Sequence, residues 1–326
     1  MIALARPLWA IAFVSMTASG AASVPPNPDW LLANESRSCD MTDVDFSDRL
    51  HGFATCAFGD AMTSEDGGLT WNVFGTDLQQ SLLFAYAASP QELYAARLGF
   101  YHSVDGGRNW EELGGLSANF GSVFDVYFGE GGHFVAIQGG TLLYTDDGGV
   151  HWETGYPGDA SVFFDELHFP SASVGYASGG ITTSQGSSGN VLRTDDAGQS
   201  WHLLSFTHGE VTAADFFDDS HGVVATWGHE LYSTADSGTS WQLIGAAPGN
   251  STLLDMTHRD ENHWYAVSYE GCLYETRDAG VTWETGYCDP SGNALAAITV
   301  RGGPAVAGGN SGVALFENRI LRTGFD

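Results

Sequence analysis

Short runs in which apolar residues dominate or alternate with polar ones recur along the chain, each bounded by Gly, Asp, Ser or Pro, and this pattern predicts β-strands. Residues 42–46 and 52–56 form one pair of such runs, 124–128 and 134–138 another, and 212–217 and 222–227 a third. A third strand in each repeat leads into an eight-residue segment of the form Ser/Thr-x-Asp-small-Gly-x-(Thr/Ser/Asn/His)-Trp, and a fourth follows it. Six copies begin at Ser64, Ser103, Thr145, Thr194, Thr234 and Thr276. Their closing tryptophans, Trp71, Trp110, Trp152, Trp201, Trp241 and Trp283, are 39, 42, 49, 40 and 42 residues apart, the period of a propeller blade.

Local chemistry explains the segment. Its aspartate (Asp66, Asp105, Asp147, Asp196, Asp236 or Asp278) can accept N–H groups of its own turn, and its glycine adopts a conformation closed to other residues. The tryptophan opens the next strand and covers the turn. Four strands per repeat define an all-β fold: a single seven-bladed β-propeller over residues 24–326, with four-stranded blades built from repeats that carry this turn. The last unit, from about residue 294, ends before any such turn. Residues 29–32 resemble the strand after each turn, so an N-terminal strand is expected to join the last blade and close the ring, leaving no free edge. Residues 182–189 account for the longest spacing; they are rich in Ser and Gly and read as a loop before a third strand.

The first residues change the cellular picture. Arg6, an apolar run over 8–16 and small residues over 18–23 have the form of a secretory signal peptide, residues 1–23, cleaved between Ala21 and Ser23. The run falls short of the roughly 20 residues that span a bilayer. A periplasmic or extracellular protein without a stable membrane anchor is therefore expected. The chain holds 40 Asp and Glu against 11 basic residues, all of them arginine, for a net charge of −29, or −30 once Arg6 is removed. Such a surface repels phosphates, which argues against nucleic acid and favours either plain solubility or a cationic partner. The four cysteines are expected to form two disulfides, Cys39–Cys56 fastening the N-terminal segment and Cys272–Cys288 facing each other across one hairpin.

The segments SEDGGLTW (64–71) and SVDGGRNW (103–110) resemble the bacterial neuraminidase, or Asp-box, repeat. The whole blade over 211–241, with Asp215-Phe216, His221-Gly222 and the closing Asp236, Gly238 and Trp241, is similar to the photosystem II stability/assembly factor family. The resemblance implies a propeller over the whole mature chain, and a sialidase-superfamily-like fold. It leaves function open, because Asp-box propellers also include sialidases, xyloglucanases and sorting receptors.

Catalytic patterns do not emerge from the sequence. A sialidase would need three clustered arginines, and its Arg-Ile-Pro segment is missing; Arg37, Arg49, Arg97, Arg193, Arg259 and Arg301 are scattered. No H-E-x-x-H, G-x-S-x-G or phosphate-cradling loop occurs, and no metal-ligand spacing. Acidic residues do recur on the first strand of the repeats, which borders the central channel: Asp43, Asp45, Asp125, Glu166 beside His168, Asp215 and Asp255. Two readings are open for them, a ring holding a cation or basic segment, and hydrogen bonding to neighbouring blades. No cofactor is expected, calcium being the one ion such a ring would take. The function expected is that of a non-enzymatic, monomeric binding or assembly factor using a propeller face or channel to hold a protein or glycan; the alternative is a glycan-active hydrolase of sialidase-like or xyloglucanase-like type.

Overall fold

The computed structural model describes residues 30–33, 39–78, 80–114, 116, 121–159, 161–183, 186–310 and 314–317. The expected leader, residues 1–23, lies outside them. Among the described residues the strands form seven antiparallel four-stranded sheets. The inner strands are Met41–Phe46, Phe84–Ala87, Val123–Phe128, Val162–His168, Val211–Phe216, Leu253–Asp260 and Leu295–Thr299. Each packs beside the inner strand of the next sheet, and the last packs beside the first, so the sheets close into a ring around a channel. The protein is an all-β propeller with four-stranded blades.

The repeat itself builds only six of these sheets, numbered here blades 1 to 6 in chain order, each made of four consecutive strands. The expected seven-bladed propeller is corrected accordingly to six blades of the repeat and one composite sheet. The remaining sheet is a composite in which Trp30–Leu32 pairs antiparallel with Ala314–Glu317, in the register Trp30↔Glu317, Leu31↔Phe316 and Leu32↔Leu315. Its outer strand precedes the other three in the sequence, so no repeated turn joins its third and fourth strands.

The six turns repeat one hydrogen-bond scheme. In the first, Asp66 Oδ1 accepts the N–H of Thr70 at 2.8 Å, and Ser64 Oγ accepts the N–H of Gly68 at 2.8 Å. The same pair recurs at Asn109 and Gly107, His151 and Gly149, Ser200 and Gly198, Ser240 and Gly238, and Thr282 and Gly280. Two successive residues have positive φ. The first tolerates Ala197, Ser237 or Ala279, whereas the second is Gly in every copy. Packing explains the difference: a Cβ on Gly198 would sit 2.6 Å from Val135 of the preceding blade, and one on Gly238 2.3 Å from Leu204. Turn and seam are thus welded together by one missing methyl.

Side-chain packing is arranged by seam rather than around one centre. Phe53 of blade 1 meets Trp110 of blade 2, and Phe84 and Tyr86 of blade 2 stack on Phe128 of blade 3. The turn tryptophans are less uniformly interior than the repeat suggests. Trp71 is 7% exposed, while Trp110, Trp152, Trp201, Trp241 and Trp283 are half-buried.

Residues 182–183 and 186–189 depart from the expected loop. They extend the second and third strands of blade 4 to Gly175–Thr183 and Gly186–Thr194, with Thr182 opposite Ser187 and Thr183 opposite Gly186. Backbone pairing carries this hairpin, and a segment with little side chain to bury leaves no alternating pattern to read. Both disulfides are present as expected. Cys39–Cys56 has Cα atoms 5.4 Å apart, and Cys272–Cys288 joins directly opposed residues with Cα atoms 4.0 Å apart.

Ring closure rests on Trp30, which is 2% exposed and meets Tyr265 of blade 6 edge-on with centroids 5.7 Å apart. Replacing Trp30 by Ala should destabilise the protein by about 3–5 kcal/mol, the loss typical of a buried aromatic. Urea unfolding would measure this, and the half-buried Trp201 replaced by Ala should cost less.

Candidate functional site

Each inner strand begins at the same end of the channel. There a cavity of about 410 Å³ is lined by the strand starts and by the turns between second and third strands in blades 5 and 6. Its walls include Leu83, Phe124, Val211, Leu254 and Ala296, and carboxylates line it below.

A register shift precedes four of the carboxylates, between Met41 and Asp43, Val123 and Asp125, Phe164 and Glu166, and Leu253 and Asp255. Such bulges re-aim side chains. Here each acid reaches the neighbouring sheet. Asp43 Oδ2 accepts the N–H of Ala85 at 2.7 Å, and Asp125 Oδ2 that of Leu167 at 2.7 Å. Glu166 Oε2 accepts from Ala214 at 2.8 Å, and Asp255 Oδ2 from Ile298 at 2.7 Å. The other oxygen of Asp43 and of Asp125 accepts the next residue's N–H at 2.7 Å.

Asp215 is not equivalent to these four, although the sequence groups it with them. The residue after the bulge in blade 5 is Ala213, and Asp215 lies two positions further along the channel. It accepts from His258 Nδ1 of blade 6 at 2.7 Å, with His168 Nδ1 of blade 4 at 3.8 Å. His168 Nε2 in turn lies 3.5 Å from Glu166. Asp45 matches Asp215 in position; it accepts the N–H of Ala87 at 3.0 Å and an ion pair from Arg301 of the closing sheet.

Among the described residues, three of the arginines the sequence singles out do not pair with a shared carboxylate. Arg193, Arg259 and Arg301 lie over Tyr176, Tyr265 and Tyr86, each with its own carboxylate partner, Asp195, Glu317 and Asp45 respectively. The carboxylate oxygens of Asp43 and Asp125 are directed at backbone N–H groups, and among the described residues no three His, Cys, Asp or Glu side chains converge as metal ligands.

Burial pushes the Asp43 carboxyl up to about 8 and the Asp125 carboxyl up to about 6, against the N–H groups that favour their charged forms. Burial and the neighbouring Glu166 charge raise Asp255, and burial raises Glu166. Burial opposes charge on His168 and His258 as well, yet their carboxylate partners hold both imidazoles above the ordinary histidine range.

Sequence reading missed the aromatic rim. Trp227 and Tyr269, 47% and 45% exposed, stand in the turns of blades 5 and 6 at the cavity edge. His258, the partner of Asp215, was also not singled out.

The closed ring and its lined mouth define a β-propeller with a side-chain-sized recess at the channel entrance. No family model matches the chain. Over 130 residues it is 29% identical to the photosystem II assembly lipoprotein Ycf48 of Synechococcus sp. (strain CC9902), a match covering 38% of this chain and 39% of that protein. The match therefore spans well under half of that relative's length. Two solved structures share the shape: YCF48 bound to a D1 peptide, with a TM-score of 0.70 and 20% identity over 90% of this chain and 98% of that one, and YCF48 from Cyanidioschyzon merolae, with a TM-score of 0.68 and 18% identity over 89% and 98%. The WD40 β-propeller domain of Doa1 reaches a TM-score of 0.71 at 12% identity, over 90% and 98% of the two chains. These likenesses establish the propeller fold.

The mouth makes stability depend on pH with a definite sign. Asp43, raised from 3.8 to about 8, binds a proton in the folded state that the unfolded chain releases, so its contribution is greatest at low pH and declines across that window. His168 and His258 act in the same direction: their raised values give stability that is complete below the unfolded value, 6.5, and lost as pH rises through the folded one. Urea midpoints should therefore fall from about pH 5 to about pH 8. Asp43→Asn should flatten part of that slope. It should also lower the midpoint at pH 8, because an amide offers one acceptor oxygen where the carboxylate uses two.

Proposed function

We propose that this chain is an exported, non-catalytic binding factor that holds a segment of a protein partner at its channel mouth, in the manner of an assembly factor. The observation that carries the reading is the mouth itself. Apolar walls and two half-exposed aromatic rings surround a recess in which Asp43, Asp125, Glu166 and Asp255 are committed to holding the ring together. A glycosidase would need a carboxylate pair free to exchange protons with a bound sugar. The similarity to Ycf48 over part of the chain, and the shape shared with a YCF48 structure that contains a D1 peptide, support protein binding.

Export to the periplasm or beyond, with removal of residues 1–23 and a folded domain over 24–326, belongs to the same proposal. Two disulfides support it, since such bonds persist in oxidising compartments.

A photo-crosslinking amino acid placed at Trp227 should, in the producing cell, yield adducts with one or a few proteins. The same probe at Val150, 56% exposed on the face of the repeated turns, should yield none or a different set. Adducts from Val150 alone, or from neither position, would overturn the reading.

A further inference from the structure

The turns between second and third strands let one position be compared from blade to blade. In blades 1, 3, 5 and 6 and in the closing sheet, one residue there donates its N–H to the carbonyl that opens the inner strand: Ala57 to Asp40, Gly139 to Ser122, Trp227 to Glu210, Tyr269 to Thr252 and Asn310 to Ala294, all between 2.8 and 3.1 Å. The backbone bond is the same each time, and Ala or Gly suffices to make it. That bond does not itself require an aromatic at this position. Blades 5 and 6 carry Trp227 and Tyr269 there, each about half exposed and both lining the cavity. Exposed aromatics paired beside a recess are what a binding surface presents.

Charge decides what such a surface can take. Six carboxylates line the recess, from Asp43, Asp125, Asp165, Glu166, Glu210 and Asp255, against one basic side chain, His168. The chain as a whole has a net charge of −29. At about 410 Å³ the recess accommodates one or two long side chains but no folded domain. Its apolar lining, with Leu83, Phe124, Val211 and Leu254, matches the methylene stem of a long cationic residue, and an aromatic face stabilises a cation.

Building on the function proposed above, we infer that the mouth binds an extended peptide segment of the partner by inserting a lysine or arginine side chain between Trp227 and Tyr269 toward the carboxylates. Peptide backbone on either side would lie across the rim formed by blades 5 and 6. Insertion of a cation favours the ionised form of Asp43 and Asp165, whose carboxyls burial pushes up to about 8 and about 7, so binding releases protons around neutral pH.

The test uses a phage-displayed random dodecapeptide library, selected on the wild-type protein at low salt and counter-selected on the Trp227→Ala/Tyr269→Ala double variant. Both changes are at exposed positions, and unchanged thermal melting confirms the fold. Selected peptides should share a Lys or Arg flanked by apolar residues. Changing that Lys to norleucine, or that Arg to citrulline, should weaken binding at least tenfold, and Asp165→Asn should weaken it severalfold. Calorimetry in buffers of different ionisation enthalpy should show proton release. Enrichment of acidic or uncharged peptides, binding that survives the double variant or the norleucine change, or no enrichment at all would overturn the inference. The crosslinking experiment keeps the two readings apart: adducts at position 227 through a partner segment with no cation would refute the cationic guest and leave protein binding at the mouth standing.

Discussion

The inner strand of every sheet is also its edge, and the N–H groups along an edge must find partners if they are to be buried. A ring of separate sheets cannot supply those partners from backbone. The protein supplies them from carboxylates that reach across the seam, Asp43 to Ala85, Asp125 to Leu167, Glu166 to Ala214 and Asp255 to Ile298. Where the acid is missing, another contact takes its place. Tyr86 stacks on Phe128 between blades 2 and 3, Asp215 meets His258 between blades 5 and 6, and Arg301 ties the closing sheet to Asp45 of blade 1. The acidic lining of the channel is therefore first a structural device, and its raised carboxyl pKa values reflect the burial that this role requires. Any guest at the mouth meets acidic side chains that are already held in place, which lowers the entropic cost of recognition.

Much of the fold was legible in the sequence because the repeated turn encodes it locally. Asp, Gly and Trp at fixed offsets each answer to a contact within one hairpin or with the adjoining blade, so six copies announce six blades. Trp30 could be recognised as a displaced outer strand by its likeness to the residues after each turn, and the cysteines could be paired from the strands they flank. Residues 182–183 and 186–189 were not legible as strand, because a Ser- and Gly-rich hairpin held by backbone pairing has no side-chain alternation.

The site was legible in part. That acids border the channel follows from their recurrence on the first strand of the repeats, but which of them are equivalent does not. Asp43 and Asp45 lie two residues apart on one strand, and only the bulge register shows that Asp215 corresponds to the second while Ala213 corresponds to the first. Trp227 and Tyr269 were hidden for the opposite reason. They depart from the repeat, at a turn position occupied by Ala57 and Gly139 in other blades, and a reading that seeks what recurs passes over what differs.

The composite closing sheet has a consequence for how the chain reaches its native state. Every other sheet is assembled from neighbours in sequence, whereas Trp30 must wait for Leu315–Glu317, the far end of the polypeptide. Contacts of such long range are slow to form, because loop-closure entropy is lost before they contribute anything. Until that pairing occurs the ring stands open at one seam, with the edges of blade 1 and blade 6 uncovered. The outer strand of the closing sheet is thus among the first described residues to be made and among the last to find its place.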